Sequence, residues 1–300
     1  MANRRYKTAL TAAVVLPLLG LVGCSSSSKA GGETAISANQ ASVPVTAEVG
    51  TEVVVRDDWG PFFESEGVRD GTFLLHEIGS DRSEVFNESR AREPMSPAST
   101  FKILNSLIIL ETGVLPNVDT VVPWDGTDRA SAAWNRDHSL RSGIEVSAVW
   151  AYQELARQVG PDRMQQWVSD ASYGNENIGG EIDSFWLEGD LAISAFEQVD
   201  FLTRFESGDL PFRAETVDAV REILVQETGP DWSWSYKTGL SITAEPDLGW
   251  LVGTAENGSS SWVFALNVDL EEAGEQLDPA IRQAVVRTIL VAEGVLPASS

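Results

Sequence analysis

The sequence predicts an α/β (α+β) fold: a mainly antiparallel sheet flanked by helices, plus a helical lobe, with a cleft between them. Three observations predict it. Strand-like segments occur near 53–87 and again at 232–268, so both ends of the chain feed one sheet, while the middle is helical in pattern. At 232–237, Trp232, Trp234 and Tyr236 alternate with Ser233, Ser235 and Lys237, the period of two expected for a strand. From Ser96 onward the period changes: Phe101, Leu104, Leu107, Ile108 and Leu110 are spaced for burial of one helix, and Pro97 suits its first turn.

In chain order, Val53–Val55 reads as a short strand and Gly71–Ile78 as a second. The turn residues Gly79-Ser80-Asp81-Arg82 lead into a hairpin partner at Ser83–Asn87. The helix from Ser96 closes at Glu111-Thr112-Gly113. A further helix is expected from Ser147, read as its N-cap, to Gly160. Amphipathic helices are expected at 162–170 and 215–227. Strands follow at Asp247–Glu256 and Ser261–Val268, joined at Asn257-Gly258, and a last helix runs from about Asp278 to Glu293. The sheet lobe is placed at about 49–95 and 211–300, and the helical lobe at about 96–210.

The first 48 residues lie outside this scheme. Arg4, Arg5 and Lys7 precede an apolar run too short for an ordinary membrane span, which reads as a signal peptide over 1–23. It ends in Leu21-Val22-Gly23-Cys24, which looks like a bacterial lipobox. Cys24, the only cysteine in the chain, would there be lipidated and become the mature N-terminus. Residues 24–48 are Ser-, Gly- and Ala-rich and read as a flexible tether. The expected location is therefore exported and lipid-anchored to the cell membrane or outer membrane. The formal net charge of −24 makes nucleic acid and anionic membrane surfaces poor partners. No metal site is expected: His76 and His138 are isolated, and the acids show no calcium-loop spacing.

The chain has four lysines, Lys7, Lys29, Lys102 and Lys237, and only the last two fall in the folded region. Arginine keeps its proton at ordinary pH and lysine can lose it, so two retained lysines are candidates for chemistry. Ser99-Thr100-Phe101-Lys102 is a Ser-x-x-Lys motif at a helix start. A separation of three puts serine and amine on one face, where the amine or a derivative can take the serine proton. The spacing alone is weak evidence, since Ser26 and Lys29 satisfy it inside the tether. Lys237-Thr238-Gly239 ends the aromatic-alternating strand and could bind a carboxylate, with Gly239 allowing close approach of a substrate backbone. By themselves Ser147 reads as a cap, Tyr173-Gly174-Asn175 as a turn and Trp186-Leu187-Glu188-Gly189 as a buried loop anchor.

Taken together and in order, these elements resemble the class D (oxacillinase-type) serine β-lactamases, over about residues 50 to 297. Longer stretches carry the likeness: Ser96 to Lys102, Leu104 to Leu107 with Glu111 to Gly113, Trp134 to His138, Tyr152 to Arg157 and Phe185 to Gly189. The resemblance implies a serine β-lactamase/penicillin-binding transpeptidase-like fold and assigns roles. Ser99 would be the acylated nucleophile. Lys102 would be carboxylated by CO2 (or bicarbonate) and act as general base. Val149 and Leu187 would shield it, and the Trp186 indole would hold the carbamate. Ser147 would relay a proton, with Lys237 nearby. The backbone N–H groups of Ser99 and Leu240 would form the oxyanion hole. Thr238 and Arg282 would bind the substrate carboxylate, and Trp134 would wall the cleft. Leu240 and the segment Trp250 to Thr254 depart from the usual pattern. An alternative in the same scaffold is a penicillin-binding or penicillin-sensing lipoprotein that is acylated without turnover; a third is a non-catalytic surface lipoprotein.

Overall fold

The computed structural model describes residues 52–272 and 275–298. The expected leader, Cys24 and the tether lie outside the described residues. Strand β1 (Glu52–Val55) and helix α1 (Gly60–Ser65) precede the hairpin β2 (Gly71–Glu77) and β3 (Arg82–Phe86), and the short helix α2 (Glu88–Ala91) follows. A 3-10 turn, Ala98–Phe101, runs directly into α3 (Lys102–Glu111). Helices α4 (Leu140–Glu145), α5 (Val149–Val159), α6 (Pro161–Asp170), α7 (Ala195–Ser207) and α8 (Ala214–Leu224) occupy the middle of the chain. Strands β4 (Val225–Thr228), β5 (Trp232–Ser241), β6 (Leu248–Asn257) and β7 (Ser260–Asp269) then lead to a two-stranded ribbon, β8 (Glu271–Glu272) and β9 (Glu275–Gln276), and to helix α9 (Ile281–Ala292).

The seven-stranded sheet has the order β1-β3-β2-β7-β6-β5-β4, so the two chain ends do share one sheet. Every pairing is antiparallel except β1 with β3. β6 and β7 meet at a tight turn in which Gly258 takes φ +63°, a conformation that costs glycine nothing. Strand alternation sends side chains to two covered faces. Phe73, Leu75, Leu251, Phe264 and Leu266 pack with Trp59 and Phe63 near α1 and with Val285, Val286 and Ile289 of α9. Their neighbours Leu74, Trp250, Val252, Val263 and Ala265 face the opposite way, onto the core shared with α3, α5 and α7. On β5, Trp232, Trp234 and Tyr236 join the α9 side. Parity therefore turns Lys237 and Gly239 towards the helices.

Three expectations need correction. Residues 225–227 are not helical: the buried stripe of α8 ends at Leu224, Val225 is extended and exposed, and the chain becomes edge strand β4. Ser147 does not cap α5. The cap position is Ala148, while Ser147 holds φ +53°, left-handed for a non-glycine residue. The last helix begins at Ile281, later than Asp278. Gly239 lets the protein approach itself: a Cβ there would lie 3.0 Å from Trp250 Cβ and 3.1 Å from Pro97 O and Thr100 Cγ2. Its missing side chain seats β5 against the 3-10 turn. Helices α4 and α7 were unread, although each starts with a reciprocal capping box, Ser139 with Ser142 and Ser194 with Glu197.

Candidate active site

The centre of the site is the junction of the 3-10 turn and α3. Ala98, just before Ser99, has φ +47° and is fully buried, so packing forces a strained residue beside the serine. From Lys102 to Leu110 every residue of α3 is buried, the signature of a helix through a core, and Lys102 is the one ionisable side chain in that stretch. Lys102 Nζ donates to Ser99 Oγ at 2.8 Å. It also lies 5.3 Å from the centre of the Tyr152 ring. No carboxylate pairs with it among the described residues. Burial alone pushes the amine down to about 7, where a large neutral fraction exists at neutral pH.

Trp186 is fully buried and its Nε1–H has no hydrogen-bond partner among the described residues. An unpaired buried donor costs about 1–3 kcal/mol and calls for an acceptor. Its orientation is fixed by Phe101, the residue before Lys102, whose ring stacks on the indole at 5.5 Å between centroids and meets Phe185 edge-on at 5.1 Å. The residue inside the Ser-x-x-Lys motif thus positions the indole on a remote loop. Ser106 Oγ donates to Lys102 O at 2.7 Å and lies 2.9 Å from Tyr152 Oη, which ties α5 to the same turn of α3. Tyr152 begins one of the stretches that carry the family likeness but was given no role in the site. Its signal was available: it is three residues after Val149, hence on the same face of α5.

A cleft of about 380 Å³ opens in front of this buried pair. Ser99, Trp134, Ser147, Val149, Leu187, Thr238, Gly239, Leu240 and Arg282 all line it, so the structure brings nine of the expected residues to one surface. Lys102, Trp186 and Lys237 are buried. The left-handed Ser147 contributes to the wall of the cleft instead of capping a helix. Trp134 is anchored at both ends, donating from Nε1 to Val146 O at 2.9 Å and accepting at its carbonyl from Trp150 Nε1 at 2.8 Å. Glu188, Ser241, Ile242 and Thr243 also line the cleft and had not been singled out for it. Ile242 carries no sequence signal, because it belongs to neither strand pattern.

The cationic end is built on β5. Lys237 Nζ donates to Thr238 O at 3.0 Å and to Thr238 Oγ1 at 3.3 Å. Burial, and then the positive charges of Lys102 and Arg282, hold its pKa well below that of an ordinary lysine. Arg282 donates through Nε to Pro279 O at 2.7 Å and through Nη1 to Gly239 O. Burial lowers it to about 10. β4 pairs with β5 only from Ser233 to Ser235, which leaves the β5 edge from Lys237 onward uncovered by a strand. Arg282 and Thr238 on the cleft wall, with Lys237 bonded to Thr238, give this end donors that suit an anionic substrate.

The loop carrying Trp186 and Leu187 is braced by Asn175. Its Nδ2 donates to Asp190 O at 2.8 Å, and its Oδ1 accepts from Ala192 N at 3.1 Å and Asn177 N at 3.2 Å. Tyr-Gly-Asn at 173–175 is therefore a turn that holds the loop, with Tyr173 buried against Phe101 and Phe201. Asn175→Ala is expected to cost about 1–2 kcal/mol. Thermal denaturation should show a fall in Tm of about 2–6 °C. His76 and His138 are held in local hydrogen bonds, to Arg82 O and Ser83 Oγ and to Ala133 O and Ser142 Oγ respectively, away from the cleft. No group of three or more His, Cys, Asp or Glu among the described residues is placed to hold a metal.

The model for the penicillin-binding protein transpeptidase domain matches residues 67–291. The OXA-5 β-lactamase of Pseudomonas aeruginosa is 42% identical over 79% of this chain and 89% of its own length. The probable β-lactamase YbxI of Bacillus subtilis (strain 168) is 42% identical over 67% of this chain and 74% of its own. The chain belongs to the class D β-lactamases. A crystal structure of the class D β-lactamase YbXI from Nostoc aligns with a TM-score of 0.76 at 38% identity, covering 79% of this chain and 99% of that one. Membership makes the chain a serine β-lactamase with the penicillin-binding transpeptidase fold, as its motifs led one to expect. Within that class D frame, the sheet flanked by helices is the shared fold, and the serine–lysine pair lies at the start of α3.

Proposed function

We propose that this enzyme opens β-lactam antibiotics by way of an acyl-enzyme on Ser99, with carboxylated Lys102 as general base, and so confers β-lactam resistance. The observation that carries this reading is the fully buried, carboxylate-free Lys102 amine 2.8 Å from Ser99 Oγ. The surroundings fit a carbamate. The amine is held near neutrality by desolvation, and Val149 and Leu187 give the adjoining cleft wall an apolar character. The buried indole N–H of Trp186 lacks an acceptor. When formed from CO2, such a group on Nζ supplies a carboxylate-like general base in an apolar cavity.

The chain's own residues then divide the work. Thr238 and Arg282 hold the substrate carboxylate. Ser99 Oγ gives its proton to the general base and attacks the lactam carbonyl, the carbon–nitrogen bond breaks, and that proton passes by way of Ser147, with Lys237 nearby, to the leaving nitrogen, which frees the base to act again. The N–H groups of Ser99 and Leu240 stabilise the oxyanion. Water, deprotonated by the same base, attacks the ester, and Ser99 recovers its proton as the ring-opened acid leaves. Export through the 1–23 leader and lipidation at Cys24 would place this activity outside the cytoplasm.

A chromogenic cephalosporin assayed with and without bicarbonate tests the proposal. Many turnovers per enzyme, faster with bicarbonate, are expected. A single stoichiometric burst would instead indicate a penicillin-binding protein that stays acylated. The pH dependence follows from Lys102. Its amine is charged below about 7 and neutral above, and only the neutral amine reacts with CO2. At limiting bicarbonate, initial rates are expected to rise about tenfold from pH 6 to pH 8, half-maximal near 7. Saturating bicarbonate should shift that midpoint downward.

A further inference from the structure

The cleft has two ends of opposite charge. At one end lie Lys237 and Arg282, with Thr238. At the other lies Glu188, an exposed acid on the cleft wall for which no hydrogen bond or ion pair of the carboxylate exists among the described residues. The Arg side chains that pair with acids elsewhere leave this one alone. The space between the ends is aliphatic, formed by Leu187, Leu240 and Ile242.

The direction of β5 orders these ends relative to a substrate. Thr238 comes first, Leu240 next and Ser241 last, spanning roughly 10 Å at about 3.3 Å per residue. Beyond Ser241, Thr243 Oγ1 donates to Leu187 O at 3.4 Å, which brings the end of β5 to the loop bearing Glu188. A β-lactam whose carboxylate sits at Thr238 and Arg282, and whose carbonyl sits beside Ser99 and Leu240, extends its acylamino substituent towards Ile242 and Glu188. Glu188 itself is presented by a tight loop: a Cβ on the next residue, Gly189, would lie 2.4 Å from Gly179 O.

We propose that Glu188 is a specificity determinant that favours zwitterionic β-lactams, those with an ammonium on the acyl side chain, over those with a second carboxylate there. The proposal rests on the hydrolase reading above. An ammonium near Glu188 gains Coulomb energy and a carboxylate loses it, and because the acid is exposed the effect is screened by salt.

The test compares three penicillins with the same nucleus: benzylpenicillin, with a neutral side chain; ampicillin, with an α-ammonium; and carbenicillin, with an α-carboxylate. The readout is the ampicillin-to-carbenicillin ratio of kcat/KM, measured in the wild type, Glu188→Gln and Glu188→Lys at about 0.02 M and about 0.5 M NaCl. Glu188→Gln is expected to lower the ratio about tenfold at low salt and Glu188→Lys to lower it further. The gap between wild type and Glu188→Gln should close at high salt. A ratio that stays within about twofold in both variants, or a gap indifferent to salt, overturns the role of Glu188 while benzylpenicillin hydrolysis leaves the hydrolase reading standing. Wild-type enzyme that turns over none of the three overturns both.

Discussion

Replacing Lys102 with alanine is expected to stop turnover while leaving a slow, single acylation of Ser99. In the proposed mechanism the base is used twice, once to deprotonate the serine and once to deprotonate water, and among the described residues no second side chain is placed to serve. Lys237 is buried and already bonded to Thr238, and no carboxylate among the described residues pairs with Lys102. A positioned general base contributes about 10²–10⁴ to each step it serves, so kcat should fall by at least about 10³. Intact-protein mass spectrometry should show the penicilloyl adduct persisting in Lys102→Ala and vanishing within the mixing time in the wild type. Normal turnover by the variant would refute the assignment of the base. Removing Lys102 also takes an amine without a counter-charge among the described residues out of an apolar core, so the variant should fold, and its melting temperature should not fall with its activity.

The second large effect is expected at Trp186. Its indole stacks on Phe101 and carries a buried N–H with nothing to donate to among the described residues. If that N–H holds the modified lysine, Trp186→Phe keeps an aromatic ring on Phe101 and removes only the donor. Losing a hydrogen bond to a charged acceptor costs about 1.5–3 kcal/mol, which corresponds to roughly 10–150-fold weaker carboxylation. The variant should therefore be poorly active in CO2-depleted buffer and recover in tens of millimolar bicarbonate. Carbon-13 NMR with labelled bicarbonate should show a carbamate signal that titrates at higher bicarbonate in Trp186→Phe than in wild type. Equal bicarbonate dependence in the two proteins would mean that the indole serves packing alone.

The legibility of this site from sequence differed residue by residue. Ser99 and Lys102 were legible because a fixed helical spacing converts directly into proximity, and the structure sets them 2.8 Å apart. Lys237 was legible because strand parity decides a face and the aromatic residues declared which face was the other. Ser147 was misread as a helix cap. A serine before a helix is a cap by default, and only the structure puts Ala148 at the cap, with Ser147 left-handed at φ +53° and lining the cleft. Residues 225–227 were misread for a similar reason: an amphipathic stripe does not announce that its partner surface ends at Leu224 and that a free sheet edge begins.

By itself the sequence determined the class of fold, the strands contributed by both chain ends, the serine–lysine pair and the family. All of these rest on local periodicity and short spacings, which survive without knowledge of what packs where. The tertiary structure alone decided which residues lacked partners. The desolvation of Lys102, the unmatched indole N–H of Trp186, the use of Gly239 to seat β5 against Pro97 and Thr100, and the placing of Glu188 and Arg282 in one cleft all depend on contacts between segments far apart in the chain. Burial and the absence of a counter-charge are properties of the whole surroundings of a group, so no pattern along one segment can encode them.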